Sequence, residues 1–473
     1  METGDVLISS VCSIIHVMTR DIDWIAKHIG STPLLDVTPP GFRSKVLAKA
    51  EYRNLTGSVK DRAALAMIQE GLKSGMLSGS RRILEATSGN TGIGLAVMGK
   101  LLGFQTTLVM PPQVNRDRKE ILRSAGAEII YSDASAGSNG ALMKALALFE
   151  EKPDLWFWPN QYFNPANYLS HRATAEEIYE NTATFITHFV AATGTGGTVV
   201  GVSKRLRELK PGIGVVSVEP AEELHGIEGT KHMETESVPA IVVRNAKLTG
   251  IFQANRFAID RTVFVKTDDA YEGINRLAAQ GVYAGISSGA NYMAACRVAE
   301  ESPGSVVVTV LPDSSDRYYS EAPWNAGYYG VTIPHAVSGA MWRHFEQTYP
   351  HEGCGLLFGR LDSCGKRTIR VFEPVENMNR ERAVDRYEIN PREMLLLEKK
   401  YRAEGLRVRG IVHSHPDHPP LPSAFDLDAA WEDLSYIICS IIGGCIVGMK
   451  SWSLEMPSEE KRFREELIRI AGA

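Results

Sequence analysis

The stretch EATSGNTGIGLA, residues 85–96, is the starting point for predicting how the larger part of this 473-residue chain folds. An apolar run ends at Ala86, glycine and hydroxyl residues follow, and a helical pattern starts near Thr91. The exposed N–H groups of a helix start, with the hydroxyls of Thr87, Ser88 and Thr91, suit a bound carboxylate. An ordinary tight turn between a strand and a helix is the alternative, and this stretch alone leaves both open.

Around this stretch, from about Thr32 to Pro312, short apolar runs alternate with amphipathic helical segments. The apolar runs are RRILEA, TTLVM, AEIIYS, HFVAAT, VVSVEP and SVVVTVLP. Such alternation is typical of βαβ units. We therefore predict an α/β fold with two subdomains built on largely parallel sheets.

The pattern changes at EAPWNAGYYGVTIP, residues 321–334, where glycine, proline and aromatic residues cluster. Beyond it we predict a helix in AVSGAMWRHFEQTY, strands in GCGLLFG, TIRVFEPVEN and VRGIVHSHP, and a short terminal helix. This indicates a separate α+β domain of roughly 140 residues, an ordinary domain size. The predicted organisation is an N-terminal extension (1–24), a first domain (25–327) and a second domain (328–473).

The composition is that of a soluble globular protein, with 44% hydrophobic and 23% charged residues. A net charge of −5 argues against nucleic acid as a partner. Six cysteines without a CxxC pair favour a reducing compartment. The apolar run VLISSVCSIIHVM follows acidic residues and is too short to span a bilayer, so we predict a cytoplasmic protein without membrane contact. Met18 is a possible alternative start.

Two further loops share the character of residues 85–96. In NLTGSVKDR, residues 54–62, Lys60 opens a long helix, although a single lysine in such a loop is usually a surface residue. In GTGGT, residues 194–198, consecutive N–H groups and two threonine hydroxyls suit a phosphate. A phosphate loop, a carboxylate loop and a lysine are together what pyridoxal phosphate requires, because the lysine holds its aldehyde as a Schiff base.

Residues 25–325 resemble the cysteine synthase family of fold type II pyridoxal-phosphate enzymes. The resemblance is carried by GSTPLL, TGSVKDR, EATSGNTGIGLA, NQYFNPAN, GTGGT and GISSGA. It implies that Lys60 is the Schiff-base lysine, that Asn90 bonds the cofactor's 3′ oxygen and that Ser287 meets its pyridine nitrogen. It also implies a phosphate-binding loop that consists of Gly194, Thr195, Gly196, Gly197 and Thr198. The substrate carboxylate would be bound by Thr87, Ser88, Gly89, Thr91 and Gln161.

The reaction that this resemblance implies is replacement of the β-substituent of a serine ester by sulfur. O-acetylserine and O-phosphoserine are both used in the family, and the sequence leaves the choice open. Lys231 could pair with a phosphate, but a solvated loop lysine is the favoured interpretation. The resemblance also predicts a homodimer through the first domain.

A second candidate site lies in HSHPDHPPLPSAFD, residues 413–426. Two histidines at i and i+2 of a strand point to one face, so His413 and His415 can bind the same ion. Asp426 would complete three ligands and leave the fourth position to water, as catalytic zinc requires. His418 falls in the proline-rich connection and is not predicted to be a ligand.

The second domain resembles the JAMM (MPN) metalloproteases, whose pattern is a distant glutamate followed by H-x-H, ten residues and an aspartate. Resemblance makes Glu352 the general base and Ser423 an oxyanion-side donor, while Cys354 is predicted to pack in the strand. JAMM enzymes cut after the C-terminal glycine of ubiquitin-like proteins.

The two resemblances together suggest a sequence of two reactions. Some cysteine synthases take sulfur from a ubiquitin-like carrier that ends in a Gly–Gly thiocarboxylate. We therefore predict that the first domain attaches cysteine to such a carrier and that the second releases it. The alternatives are a sulfide-dependent synthase fused to an independent peptidase, or an assembly with one catalytically silent half.

Overall fold

The structure is a computed structural model of the chain. It describes residues 20–114, 116–223, 225–233, 240–243, 246–318, 329–361, 366–455 and 461–471. The predicted boundary at 327/328, Met18 and most of the predicted extension lie outside these residues. Across the described ranges, no helix combines the length and the apolar character needed to cross a membrane.

The N-terminal region, up to residue 318, alternates strands and helices as predicted. Its strands are β1 (Leu34–Asp36), β2 (Lys45–Ala50), β3 (Arg82–Ala86), β4 (Thr106–Met110), β5 (Glu128–Tyr131), β6 (Trp156–Phe157), β7 (His188–Ala192), β8 (Gly214–Pro220), β9 (Ile241–Val243), β10 (Ala246–Leu248), β11 (Arg261–Val265) and β12 (Val306–Leu311). Its helices are α1 (Ile22–Lys27), α2 (Lys60–Lys73), α3 (Asn90–Leu101), α4 (Arg116–Ser124), α5 (Gly137–Glu151), α6 (Pro165–Leu169), α7 (His171–Asn181), α8 (Gly197–Leu209), α9 (Ile251–Ala254), α10 (Thr267–Ala279) and α11 (Ile286–Glu301).

Two largely parallel sheets organise this region. The larger has the order β1-β2-β12-β7-β8-β11, with β1 antiparallel at its edge, and the smaller has the order β5-β4-β3-β6. Strands buried on both faces consist of continuous apolar runs rather than alternating ones. The strand β4 shows this, since all of TTLVM is buried. The predicted fold of the first region is confirmed.

The C-terminal region is a closed barrel with helices around it. Its elements are β13 (Tyr329–Pro334), α12 (His335–Thr348), β14 (Cys354–Leu361), β15 (Arg367–Val375), α13 (Pro391–Arg402), β16 (Arg407–Pro416), α14 (Ala424–Ala429), β17 (Ser435–Ile442), β18 (Cys445–Glu455) and β19 (Arg462–Ala471). The strand order is β13-β15-β14-β16-β17-β18-β19. A separate α+β domain was predicted, and the helix and three strands named from the sequence are all present.

The prediction of a short terminal helix is wrong. The last described residues form β19, which pairs antiparallel with β18 and parallel with β13 and so closes the barrel. Leu467, Ile468 and Ile470 are buried there. Glutamate and arginine favour helix in isolation, but hydrogen bonding on both edges of the strand overrides that preference.

The two regions share a hydrophobic cluster. Leu101, at the end of α3, packs with Ile442, Cys445 and Val447 of the β17–β18 hairpin. The hairpin turns through Gly443 and Gly444, whose φ angles of 56° and 74° are typical of a tight hairpin turn. Gly443 also approaches Leu101 so closely that an added Cβ would lie 2.5 Å from the leucine Cδ2.

A buried arginine strengthens the same interface. The guanidinium of Arg317 donates to the carbonyl of Thr56, just before Lys60, and to the carbonyl of Val447 in β18 at 3.0 Å. Arg317 is completely buried. Arg317 therefore bridges the segment that precedes Lys60 and the barrel.

Candidate active sites

The first cavity lies between the two sheets of the N-terminal region and has a volume of about 320 Å³. It is lined by the ends of strands from both sheets, including Ala86, the last residue of β3, and Pro312, which follows β12. The predicted residues that line it are Lys60, Thr87, Ser88, Gly89, Asn90, Thr91, Gln161, Gly194, Thr195, Thr198 and Ser287. Gly196 and Gly197 belong to the same loop but are not lining residues. The structure thus brings the separate motifs together, while their individual roles stay predictions.

Lys60 is the first residue of α2. Desolvation lowers the pKa of its ammonium group, and the nearby carboxylate of Asp313 opposes that shift. A lower pKa leaves more of the amine neutral, which is the form that reacts with an aldehyde. The lowered pKa is compatible with the predicted Schiff-base role of Lys60.

The carboxylate loop is supported from the neighbouring strand and loop. The hydroxyl of Thr91 donates to Gln161 Oε1 at 2.7 Å, and Gln161 Nε2 donates to the carbonyl of Ala86 at 3.1 Å. The backbone N–H of Gln161 donates to the carboxyl of Glu85 at 3.2 Å. Glu85 is completely buried, and burial raises its pKa to about 8. Sequence reasoning missed Glu85, although a single acid inside an apolar strand is itself a signal.

The phosphate loop leads directly into a helix start. Gly196 has a φ of 85°, and α8 begins at Gly197. A Cβ on Gly197 would lie 2.1 Å from Asn167 Oδ1, so only glycine fits there. Asn167 Nδ2 in turn donates to Thr195 Oγ1 at 3.1 Å. Backbone N–H groups at the start of this 13-residue helix can bind a phosphate.

Asp313 is a cavity residue that sequence reasoning missed. Asn90 Nδ2 donates to Asp313 Oδ2 at 2.7 Å, and the hydroxyl of Tyr318 donates to the same oxygen at 3.1 Å. Burial raises the pKa of Asp313. The residue follows β12, and ligands bind at the carboxyl ends of parallel strands, so its position was an available signal.

The residues of this cavity fit pyridoxal phosphate. Within the described part of the chain, Asn90 Oδ1 and Asp313 Oδ1 are buried without a hydrogen-bond partner. Such orphaned oxygens in a polar cavity are expected where a ligand supplies the missing donors. A lysine with a lowered pKa and a helix start for the phosphate complete the requirements.

Two buried cations line the same cavity. Lys231 is 5% exposed, and its ammonium donates to Ser138 Oγ at 2.7 Å. Arg118 is 6% exposed, pairs with Glu228 and donates to the hydroxyl of Tyr318 at 3.2 Å. The favoured interpretation of Lys231 as a solvated lysine is therefore wrong, because residues distant in sequence fold over it.

The second cavity belongs to the barrel domain, has a volume of about 270 Å³ and is lined by the predicted metal ligands His415 and Asp426. The Nε2 atoms of His413 and His415, both on β16, are 3.0 Å apart. His413 Nε2 lies 3.3 Å from Asp426 Oδ1. The three ligand atoms all lie within 4.8 Å of one another, so the three side chains can hold one metal ion. Two imidazoles and one carboxylate form a donor set that fits catalytic zinc.

The protonation states also suit a metal. Burial lowers the pKa of both His413 and His415, which keeps the imidazoles neutral and able to bind metal. His415 Nδ1 lies 3.1 Å from the carbonyl of Pro419, which leaves Nε2 as the free lone pair. Burial alone would raise the pKa of Asp426, but His413 and hydrogen bonds from Ser423 lower it overall.

Glu352 stands next to these ligands, with its Oε1 4.0 Å from His415 Nε2. Burial, with smaller contributions from Asp426 and Asp385, raises its pKa to about 9. A cation held by the three neighbouring side chains would lower this pKa, so that the carboxylate could accept a proton. Tyr387, which sequence reasoning missed, stacks on His413 with ring centroids 4.3 Å apart. It lies in a loop without a recognisable motif, so no sequence signal indicated it.

Ser423, Cys354 and His418 have different surroundings. The hydroxyl of Ser423 donates to Asp426 Oδ2 at 2.6 Å, so it orients a predicted ligand, and its role as an oxyanion-side donor stays a prediction. Cys354 is buried in the core of the barrel, where packing was predicted. His418 lines the cavity but does not belong to the ligand group.

Comparisons with known proteins separate the same two regions. Residues 25–313 match the family described as pyridoxal-phosphate dependent enzyme, and residues 334–455 match the prokaryotic homologs of the JAB domain. The first match covers more than half of the chain.

Individual relatives agree with the first match. The chain is 40% identical over 309 residues to a cysteine synthase of Aquifex aeolicus, covering 63% of this chain and 91% of that protein. It is 38% identical over 296 residues to cysteine synthase B of Salmonella typhimurium, covering 62% and 93%. The crystal structure of cysteine synthase from Entamoeba histolytica superposes with a TM-score of 0.57 at 32% identity, covering 68% and 94%. The chain therefore belongs to the pyridoxal-phosphate dependent enzymes of the cysteine synthase type, and it carries a JAB domain in the same polypeptide.

Proposed function

We propose that this protein makes cysteine on a carrier protein and then releases it. The first cavity replaces the β-substituent of a serine ester with the sulfur of a carrier that ends in a Gly–Gly thiocarboxylate. The second cavity hydrolyses cysteine from the carrier. One observation supports the proposal: a cavity lined by Lys60 and a second cavity lined by His415, Asp426 and Glu352 occur in domains that share a packed interface.

In the first step, the residues of the chain bind and orient the serine ester. Pyridoxal phosphate, when bound, supplies the electron sink that allows the β-substituent to leave. The hydroxyls and N–H groups of residues 87–91, with Gln161, would hold the substrate carboxylate. Lys60, whose pKa is lowered, would hold the cofactor and then move the α-proton. Asn90 and Ser287 would orient the ring.

The buried cations support a phosphate as the leaving group. The substituent leaves with the electron pair of the broken C–O bond, so negative charge grows on it. Lys231 lies in the cavity wall, where burial strengthens its effect on such charge, and Arg118, whose charge is partly balanced by Glu228, lines the same cavity. We therefore propose O-phosphoserine as the preferred serine ester over O-acetylserine.

The second step follows from the chemistry of the first product. The thiocarboxylate sulfur forms a bond to the β-carbon, so cysteine is first attached as a thioester. Its new amino group can attack the acyl carbon, which frees the thiol and forms an amide. That amide needs an additional catalyst, because amides are stable in water.

In the barrel, His413, His415 and Asp426 would hold zinc. Zinc, when bound, polarises a carbonyl and lowers the pKa of a bound water to about 7. Glu352 would accept the proton of that water and pass it to the departing amino group of cysteine. Ser423 would keep Asp426 oriented through its 2.6 Å hydrogen bond. The products are free cysteine and a carrier that ends in a carboxylate.

Intact mass measurement of the carrier tests the whole proposal. Thiocarboxylated carrier is incubated with O-phosphoserine and the wild type, Glu352→Gln or Lys60→Ala protein. The wild type should return a carrier carboxylate and free cysteine, Glu352→Gln should accumulate carrier plus one cysteine residue, and Lys60→Ala should leave the thiocarboxylate unchanged.

A control with sulfide separates the alternatives. Glu352→Gln should make cysteine from sulfide as fast as the wild type, which shows that its first site is intact. A wild type that uses sulfide but never the carrier would indicate an independent synthase and peptidase. Release of cysteine by Glu352→Gln at the wild-type rate would refute the proposed order of steps.

A further inference from the structure

The loop between the second histidine ligand and the aspartate ligand is held at Asp417. This residue lies two positions after His415, has a φ of 57° and is 8% exposed. Its backbone N–H donates to the carbonyl of Ile441 at 2.6 Å. Aspartate tolerates the left-handed region better than most residues, and the hydrogen bonds of Asp417 stabilise it in this conformation.

Three donors hold the carboxylate of Asp417. The N–H of Gly443 donates to Oδ1 at 3.0 Å, and the hydroxyl of Tyr349 lies 3.3 Å from both oxygens. The third donor is the guanidinium of Arg20, which forms an ion pair with Oδ2. Gly443 and Tyr349 belong to the barrel domain, but Arg20 comes from the N-terminal region.

Arg20 is itself anchored in the N-terminal region. Its backbone N–H donates to the carbonyl of Leu101, the last residue of α3, at 3.1 Å. Its guanidinium carbon lies 4.9 Å from the centre of the Trp24 ring. These contacts with Leu101 and Trp24 hold Arg20 in place relative to α3.

Arg20 is connected to the candidate metal site through Asp417 and Pro419. Asp417 sets the course of the backbone between His415 and Pro419, and the carbonyl of Pro419 is the partner of His415 Nδ1 at 3.1 Å. That bond selects the tautomer in which Nε2 can bind metal, and such outer contacts tune metal affinity. Loss of the charged donor would leave Asp417 as a buried carboxylate with two neutral donors.

We infer that Arg20 is a positioning residue for the metal site of the barrel and acts through Asp417. The inference rests on the proposed zinc site. It makes the metal site of the JAB-type domain depend on a residue that precedes the pyridoxal-phosphate family match, residues 25–313, and is anchored on α3 of that region.

The test compares four full-length variants with the wild type. Arg20→Gln removes the positive charge, and Arg20→Lys keeps the charge but has fewer hydrogen-bond donors. Asp417→Asn removes the negative charge of the carboxylate. Arg172→Gln is the matched control, because Arg172 forms a comparable ion pair with Glu208 on the surface of the N-terminal region. Zinc affinity is measured by competition with a chromophoric chelator, and ligand geometry by the visible spectrum of the cobalt(II) form.

We expect Arg20→Gln to weaken zinc binding roughly 10-fold and to change the cobalt spectrum, as is usual for loss of an outer contact of a metal ligand. Arg20→Lys should recover most of the affinity, and Arg172→Gln should match the wild type. For a synthetic peptide that ends in Gly–Gly–cysteine, Arg20→Gln should lower kcat more than it changes KM. Cysteine formation from sulfide should stay at the wild-type rate, which shows that the variant is folded.

A double variant decides whether Arg20 acts through Asp417. In the Asp417→Asn background, Arg20→Gln should cause little further loss, because the partner charge is already absent. Fully additive losses, or an Arg20→Gln protein with wild-type zinc affinity and cobalt spectrum, would overturn the inference and leave the proposed function intact. A wild type that binds no zinc would overturn both.

Discussion

The ammonium of Lys231 contacts the wall of the first cavity rather than bulk water, so its charge can act on a bound substrate. We predict that Lys231→Met lowers kcat/KM for O-phosphoserine about 10- to 100-fold, the range expected for loss of a charged hydrogen bond. The value for O-acetylserine should change less than about 3-fold, since acetate carries less charge. Initial rates with sulfide as the second substrate measure both. Lys231→Arg is the matched control, and equal losses on both esters would contradict the assignment.

Substitutions of Glu352 and Asp426 should have different effects, the first on the rate of hydrolysis and the second on metal binding. We predict that Glu352→Gln keeps one zinc per chain but slows hydrolysis by about 10²- to 10⁴-fold, the usual contribution of a general base. Asp426→Ala should lose the metal, because only two ligands remain. Elemental analysis and cysteine release measure the two effects. His418→Ala, a change in the same cavity outside the ligand group, should keep its zinc.

The buried carboxyl of Glu85 should make stability depend on pH. Its pKa is about 8 in the folded protein against 4.5 for the free side chain. Between these values the folded protein keeps the proton and the unfolded chain does not. The contribution of Glu85 to the free energy of unfolding therefore falls as pH rises, by at most about 1.4 kcal/mol per pH unit.

Glu85→Gln should remove this slope. Urea unfolding midpoints between pH 5 and pH 8 should fall more steeply for the wild type than for the variant. Glu128→Gln, a change in an exposed residue of the same sheet, serves as the control. Parallel curves for the wild type and Glu85→Gln would show that Glu85 is ionised in the folded state.

Single residues differ in how far the sequence reveals them. Lys60, Asn90 and the predicted ligands His413 and His415 occur inside short motifs, so the sequence alone identifies them as candidate site residues. The burial of Lys231 could not be predicted in that way, because it depends on segments that fold over it from elsewhere in the chain.

Secondary-structure elements also differ in how far the sequence predicts them. Strands of the parallel sheets were predictable because burial on both faces gives them continuous apolar runs. The strand β19 was not, because its conformation comes from pairing with β13 and β18 rather than from its own residues. The β17–β18 hairpin was missed even though its Gly443–Gly444 pair is a recognised turn signal.

The turn of the β17–β18 hairpin should be sensitive to substitution of its glycines. We expect Gly443→Ala to destabilise the protein by about 1–3 kcal/mol through backbone strain, and more because its Cβ would meet Leu101. Gly444→Ala is the matched control: it has the same strained backbone, but its nearest neighbour would be 3.6 Å away. Thermal unfolding should therefore show a larger loss of stability for Gly443→Ala than for Gly444→Ala. Equal losses would mean that the Leu101 side chain moves aside without destabilising the protein.

At the scale of the whole molecule, the shared cluster and Arg317 should make the two regions unfold together. We predict that removing zinc lowers the temperature at which the first site releases its cofactor, because a ligand that binds the folded state stabilises everything that unfolds with it. Calorimetry and the visible absorbance of the cofactor measure the two events. Two separate transitions, with only one sensitive to a chelator, would contradict this.

The helix α3 begins at Asn90 in the first cavity and ends at Leu101, whose carbonyl accepts from Arg20 beside the loop of the second. It has 12 residues and is therefore about 18 Å long at 1.5 Å per residue. An insertion or deletion of one residue would rotate one end against the other by about 100° and detach one of the two sites. The length of this buried helix is therefore constrained from both ends, and the distance from the first cavity to the anchor of Arg20 should be inherited as a fixed number of residues.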